Sequence, residues 1–359
     1  MSPAATCKFR YRFLVPLQEQ ELDNGFFVMD ERRLNILAIF PTDEPFWRAG
    51  EKRLRRNLSQ HNLQFAYSVP QAAASAGEAE VVLCISMVPL PDQYARQASR
   101  LKWIQALGVG VDGIVGLPSL GPDVIITNAR GIHGAPVSEA ALGLMFSLAR
   151  DVRRSIRHQA ERRWAPFIPT LLEGKTIGIL GTGVIGQALG RKCQALGMTV
   201  LGITATPRHL AGFDSLHPRE DLIPLAGQLD YFVLVTPLTP ATQAIVNTDV
   251  LRAMKPTAFL INVGRGALVD EAALAAALQE GSIAGAGLDC FAREPLPPDS
   301  PLWSLENVVL TPHMAGRHDG YMDDALEIFE VNLRHYLSGE TADMVNLVSR
   351  ESSTGPGGR

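Results

Sequence analysis

The stretch TIGILGTGVIGQALG, residues 176–190, decides the fold. Thr176 to Leu180 is a short apolar run of the kind that makes a buried strand. Gly181-Thr182-Gly183-Val184-Ile185-Gly186 follows at once, and then a helix is predicted to about Leu196, stopped by Gly197. A strand, three glycines at this spacing and a helix make a phosphate-binding turn. Gly181 permits the tight turn, Gly183 lets backbone approach a pyrophosphate, and Gly186 lets helix and strand pack closely. The amides of Val184 and Ile185, at the positive end of the helix, would face the phosphates.

Working outward, further short apolar runs follow the same rhythm. Thr199–Ile203, Tyr231–Val235, Ala258–Val263, Ile283–Leu288 and Val308–Leu310 alternate with helical stretches. With Thr176–Leu180 they make six strands of a doubly wound domain. Upstream, Leu34–Phe40, Val81–Ile85, Leu101–Ala106 and Val124–Thr127 read as four strands of another parallel α/β sheet. Between the two series an apolar helix opens at Val137-Ser138-Glu139 and is expected to continue as a basic, solvated stretch to Arg163. One more helix is predicted from about Tyr321 to Leu337.

The expected organisation is therefore two doubly wound parallel-sheet domains of the α/β class with a cleft between them. Residues 1–33 form an N-terminal extension. Residues 34–131 and 313–345 make a discontinuous substrate domain, and 132–312 the dinucleotide-binding Rossmann domain. Residues 346–359 read as a disordered tail, with ESSTGPGGR at 351–359.

Composition bounds the function. Of 359 residues, 46% are hydrophobic and 19% charged, which fits a globular protein. The net charge of −4 gives no overall attraction to nucleic acid or an anionic membrane. No apolar run reaches ~18 residues, so no transmembrane helix is expected. Cys7, Cys84, Cys193 and Cys290 show no CxxC pair and no metal-ligand spacing, which implies reduced thiols in the cytoplasm and no metal. Before Glu19 there are Lys8, Arg10 and Arg12 but no acid, a pattern faintly like a transit peptide. The helix following Ser138 is apolar around most of its surface, with Ala140, Leu142, Leu144, Met145, Phe146 and Leu148, more than one buried face requires, and this predicts a homodimer.

The end of the strand after the glycine turn normally carries an acid that reads the adenosine ribose of NAD. Here Thr204 stands at that place, and there is no acid from Thr199 to Phe213. Arg208 and His209 lie just beyond. A carboxylate would repel a 2′-phosphate, whereas a guanidinium would accept one. NADP(H) is therefore favoured over NAD(H), with NAD left open if Arg208 is a solvated loop residue.

Three segments sit where strands of the second domain end, which is where ligands bind in open α/β sheets. They are Asn262-Val263-Gly264-Arg265-Gly266, Leu288-Asp289-Cys290-Phe291 with Glu294-Pro295, and Thr311-Pro312-His313-Met314-Ala315-Gly316. An Arg, a Glu and a His are thus predicted around one cleft. Reduction of a 2-keto acid requires such a set. Hydride addition to the carbonyl carbon leaves an alkoxide unless a proton arrives, and His313 can deliver it. Glu294 would favour the imidazolium and fix its tautomer. Arg265 would hold the substrate carboxylate and polarise the keto oxygen.

These segments, with LKWIQALGVGVDGI (101–114), GKTIGILGTGVIGQALG (174–190), TPLTPATQAIVN (236–247), INVGRGALVDEAAL (261–274), GLDCFAREPLP (287–297) and PLWSLENVVLTPHMAG (301–316), resemble the D-isomer-specific 2-hydroxyacid dehydrogenase family from roughly Leu34 to Ser338. The resemblance implies a catalytic set of Arg265, Glu294 and His313. It implies that Asp289 meets the nicotinamide carboxamide, and that the Val109 and Gly110 amides hold the substrate carboxylate. Thr236 and Pro237 would line the cofactor's ribose side, with Val263 and Gly264 beside the cofactor. Two departures stand out: Thr204 replaces the family's ribose-binding Asp, and Val137-Ser138-Glu139-Ala140 replaces its usual VAEH. Within the family the chain looks most like glyoxylate/hydroxypyruvate reductases. The expected activity is NAD(P)H-dependent reduction of a small 2-keto acid to the D-2-hydroxy acid. A cofactor-sensing binding protein and a formate- or phosphite-type dehydrogenase are the alternatives. The substrate side chain is not readable from the loop around Ser86, Met87 and Val88.

Overall fold

Continuous apolar runs become strands covered on both faces, as parallel sheets require. The computed structural model describes residues 32–85, 90–207 and 209–349. Most of the N-terminal extension, the loop at Ser86, Met87 and Val88, Arg208 and the tail from 350 onward lie outside the described residues. Strands β1 (Asn35–Ile39), β2 (Asn62–Ala66), β3 (Val81–Cys84), β4 (Trp103–Ala106) and β5 (Ile125–Thr127) form one parallel sheet, ordered β2-β1-β3-β4-β5. Strands β6 (Thr176–Leu180), β7 (Thr199–Thr204), β8 (Ser215–Pro218), β9 (Tyr231–Leu234), β10 (Phe259–Asn262), β11 (Gly285–Leu288) and β12 (Val308–Leu310) form the second, ordered β12-β11-β10-β9-β6-β7-β8.

In the second sheet β6 pairs with β7 on one side and β9 on the other, so the winding reverses there. The crevice for a ligand opens at the carboxyl ends of those strands. Gly181 follows β6 and Thr236 follows β9, which puts the glycine turn in that crevice.

Two strands exceed the sequence expectation, β2 and β8. Both are edges of their sheets. Their residues are mostly half-buried rather than buried. An edge strand lacks the continuous apolar run that marks a central one, which is why NLQFA and SLHP do not stand out.

The central helix spans Gly134–Ala149 and does not continue to Arg163, as the sequence reading expected. Asp151 interrupts it at φ 47°, and its carboxylate caps a separate helix, Val152–Ala160, by accepting the Arg154 N–H at 3.2 Å. The short side chain of Asp tolerates the left-handed conformation and supplies the new cap.

Helix Tyr321–Leu337 packs on the first sheet. Its Tyr321, Met322, Ala325, Leu326, Phe329 and Leu333 share one core with Leu34, Trp47, Val81 and Trp103. Phe329 stacks on Trp103 at 5.2 Å between ring centroids. The chain therefore returns to the first sheet after building the second. Residues 346–348, placed with the tail from sequence, lie against β5 instead. Leu347 bridges Thr127 antiparallel, and the Val348 N–H donates to the Ile126 carbonyl at 2.9 Å. The pairing satisfies the open edge of β5, a backbone need that composition does not reveal.

Candidate active site

The glycine turn has the shape its sequence predicts. Gly181 lies at φ 111°, and a Cβ there would fall 2.8 Å from the Thr236 nitrogen. A Cβ at Gly186 would fall 2.0 Å from the Gly181 carbonyl oxygen, so only glycine lets this helix start against its strand. A Cβ at Gly183 would meet nothing within 4 Å. Gly183 is the N-cap of helix Val184–Ala195, whose first N–H groups have no intrahelical acceptor. Gly264 closes the far side: a Cβ there would lie 3.2 Å from both the Leu234 and Thr236 carbonyl oxygens. Gly181, Thr236 and Gly264 thus bring three strand ends together around a cradle that fits a dinucleotide phosphate. Thr236 and Val263 are buried and Pro237 is exposed. Thr204 ends β7 half-buried, and His209 is exposed.

The Arg265 loop is built by Asn262. Its carboxamide accepts the Gly264 N–H at 3.1 Å and donates to the Arg265 carbonyl at 2.9 Å. The Arg265 guanidinium donates to the Gly264 carbonyl at 2.8 Å, which folds the side chain back over its own turn. Asn262 was not singled out from sequence. An Asn closing a strand just before a Gly-x-Gly turn is a signal for this kind of local bridge.

The His313 loop hangs from Asp289. This carboxylate is buried and accepts three bonds: Thr311 Oγ1 at 2.6 Å, Met314 N–H at 3.0 Å and Ala315 N–H at 2.9 Å. His313 itself sits at φ 48°, a conformation a non-glycine residue holds only when its surroundings impose it. The Asp289 bonds on both sides of it do so. The contacts that define Asp289 here are therefore to protein, and a carboxamide contact would be added to them.

His313 Nδ1 and Glu294 Oε2 are 2.6 Å apart, and both side chains are partly exposed to the cleft. Burial works to raise the Glu294 carboxyl. The His313 bond, the Phe291 N–H bond at 3.0 Å and the nearby Arg265 charge outweigh it and hold the group below the usual carboxylate range. Glu294 is thus ionised at neutral pH, as a partner for an imidazolium must be. The structure brings Arg265, Glu294 and His313 to one place, as the strand-end argument expected.

On the opposite wall, the loop after β4 carries Gly108-Val109-Gly110. Among the described residues, neither the Val109 nor the Gly110 N–H has a protein acceptor. The loop is braced instead through its carbonyls, with Val109 accepting from the Asn128 carboxamide at 2.9 Å and Gly108 from the Ala129 N–H at 3.0 Å. Amides without a described protein acceptor on a braced loop are the kind of donors an anion site requires.

His133 and Tyr321 join the two walls and were not singled out from sequence. The His133 ring lies edge-on to Tyr321 at 5.8 Å, and the Tyr321 hydroxyl donates to the Leu107 carbonyl. Burial, partly countered by the Ala129 backbone, pushes the His133 ring down to about 4, so it is neutral. Gly134 beside it abuts Val184 of the glycine turn, and Gly316 of the His313 loop has room only for hydrogen against the His133 ring. Nothing in the local pattern GIHGAP marks this position, because its neighbours come from three distant segments.

The comparisons bear on the family and the fold. Residues 142–315 match the family model described as D-isomer specific 2-hydroxyacid dehydrogenase, NAD binding domain. A D-3-phosphoglycerate dehydrogenase from Methanocaldococcus jannaschii is 33% identical over 75% of this chain, and the match spans 52% of that protein. A glyoxylate reductase from Korarchaeum cryptofilum is 35% identical over 73% of this chain and 80% of the relative. A solved NADPH-dependent glyoxylate/hydroxypyruvate reductase from Sinorhizobium meliloti, in complex with NADP and malonate, superposes with a TM-score of 0.76 at 31% identity, covering 89% of this chain and 98% of the other. The chain belongs to the D-isomer specific 2-hydroxyacid dehydrogenase family, a family of oxidoreductases, and carries its NAD-binding domain. No helix among the described residues is long and apolar enough to cross a membrane.

Proposed function

We propose that the protein reduces a small 2-keto acid of the glyoxylate or hydroxypyruvate kind to the D-2-hydroxy acid, with His313 as proton donor. The observation that carries this reading is the 2.6 Å pair of His313 and Glu294 facing Arg265 across strand ends. A bound nicotinamide cofactor supplies the hydride. Residues Gly181, Gly183, Val184, Ile185 and Gly186 hold its pyrophosphate, Thr236, Pro237, Val263 and Gly264 line its path, and Asp289 borders its carboxamide. The Val109 and Gly110 amides bind the substrate carboxylate, and Arg265 bridges carboxylate and keto oxygen. His313 donates its proton to the developing alkoxide while ionised Glu294 balances the imidazolium.

The cofactor we favour is NADP(H). Thr204 supports this because it offers a hydroxyl where a carboxylate would repel a 2′-phosphate. The solved Sinorhizobium meliloti reductase is NADPH-dependent. Residues 34–131 with 313–345 serve as the substrate domain, and 132–312 as the cofactor domain. A homodimer is supported by apolar side chains left in solvent along one arm: Phe146 is 40% exposed, Ile156 60%, Trp164 96% and Ile168 97%. Sedimentation of a Trp164→Asp, Ile168→Asp double variant should show a monomer where the unmodified chain is a dimer. Buried free Cys84, Cys193 and Cys290 fit a reducing, cytoplasmic setting.

The deciding experiment is turnover of glyoxylate, hydroxypyruvate and phenylpyruvate with NADPH and with NADH. Cofactor binding without turnover of any keto acid would replace this reading with that of a sensor.

A further inference from the structure

The sequence shows no metal-ligand spacing, yet the fold assembles a ligand set. Cys290, Glu294 and His313 each offer a ligand atom, and the three atoms lie within 4.8 Å of one another. Among the described residues this is where three such side chains converge. We propose that these three residues form an inhibitory site for a thiophilic divalent cation, Zn²⁺ being the best match.

The donor set selects the ion. One sulfur, one imidazole nitrogen and one carboxylate oxygen suit a tetrahedral Zn²⁺ with a fourth position left to water. Mg²⁺ and Ca²⁺ prefer all-oxygen shells and are poorly served by a thiol. Tetrahedral Zn²⁺ ligand atoms at bond lengths of about 2.0 to 2.3 Å lie about 3.5 Å apart, so the farthest pair must close by about 1 Å, and a His313 Nδ1–Glu294 pair would have to open from 2.6 Å. Rotation of the partly exposed Glu294 and His313 side chains can provide that contraction. Those two side chains also give the ion its entry from the cleft, since Cys290 itself is only 3% exposed.

The Cys290 thiol is pre-aimed. It donates to the Gly264 carbonyl at 3.3 Å, the same oxygen that accepts from Arg265. Metal binding would release the thiol proton and any proton on the His313 nitrogen that is ligated, with no change of oxidation state. Either ring nitrogen gives the same outcome. Ligation at Nδ1 removes the bond to Glu294, and ligation at the other nitrogen occupies the proton donor itself. The ion therefore stops proton delivery without touching the glycine turn, so cofactor binding should survive.

The test is Zn²⁺ binding to the full chain, measured by competition with a chromophoric chelator. One tight Zn²⁺ per chain is expected, weakened at least ~10- to 100-fold in Cys290→Ala, since a direct ligand should count for no less than an outer-shell partner. Co²⁺ in place of Zn²⁺ should give a thiolate-to-metal charge-transfer band that vanishes in the same variant. Where the chain turns over keto acid, Zn²⁺ should inhibit it reversibly with EDTA, and Cys290→Ala should stay active and resist. Cys290→Ser, which keeps the volume and removes the soft donor, carries the same expectation should the Ala variant fold poorly. Equal Zn²⁺ affinity in both variants and the unmodified chain, or a Co²⁺ complex without the sulfur band, would overturn the site. The binding readouts need no turnover, so failure of the keto-acid reading would leave this test standing.

Discussion

The two ends of the cofactor crevice are built differently. At the proposed catalytic end, His313 and Arg265 are each mounted on a loop tied down by buried bonds. Asp289 accepts three donors around His313, and Asn262 bridges the turn that carries Arg265. At the adenosine end, Thr204 closes β7 next to the edge strand β8, followed by the exposed Ala205 to Pro207. The difference separates two kinds of specificity. Proton transfer tolerates little displacement, and the rigid mounting of the proposed donor suits it. Telling a ribose 2′-phosphate from a 2′-hydroxyl needs only a charge within reach, and a surface segment can supply it.

The largest test of the rigid end is His313→Ala. It should lower kcat by about 10²- to 10⁴-fold while NADPH binding, followed by fluorescence titration, stays close to that of the unmodified chain. Full turnover in this variant would remove His313 from the mechanism. Arg265→Lys comes next. An ammonium cannot reproduce the planar fork, and the loss of a charge-assisted bond should reduce kcat/KM by about 10- to 100-fold. Unchanged kinetics would mean that the Arg265 side chain serves only its own turn.

Glu294→Gln sharpens the comparison through pH. Glu294 is held below the ordinary carboxylate range, so across neutral pH it presents a negative charge to His313. A neutral amide does not. Reduction needs the protonated ring, so the alkaline fall of kcat/KM should move to lower pH, with about a tenfold loss near neutrality. A profile that keeps its position would show that the pair is structural. The smallest expected effect is at the adenosine end. Thr204→Asp should move the ratio of kcat/KM for NADPH over NADH towards NADH by several-fold to about tenfold. Arg208→Ala should weaken NADPH and spare NADH. An NADH preference in the unmodified protein would break the charge argument for this end.

What could be read in advance follows the same division. The convergence of Arg265, Glu294 and His313 was legible because each sits within a few residues of an apolar strand, and strand ends point one way in a parallel sheet. Edge strands β2 and β8 were not, because a half-buried strand carries no continuous apolar run. The break at Asp151 was hidden for a different reason: Asp is acceptable both within a basic amphipathic stretch and as a cap, and packing decided between them.

By itself the sequence determined the alternation of strand and helix, the glycine turn, and which side chains of β10, β11 and β12 end in the crevice. These depend on periodicity and on residue types whose backbone needs are local. Only the tertiary structure decided that Asp289 anchors the His313 loop, that His133 and Tyr321 join the walls, that residues 346–348 seal the edge of β5, and that Cys290 stands beside Glu294 and His313. Each of these is a contact between segments distant along the chain. Such contacts are set by how sheets and loops pack, and no local pattern encodes them.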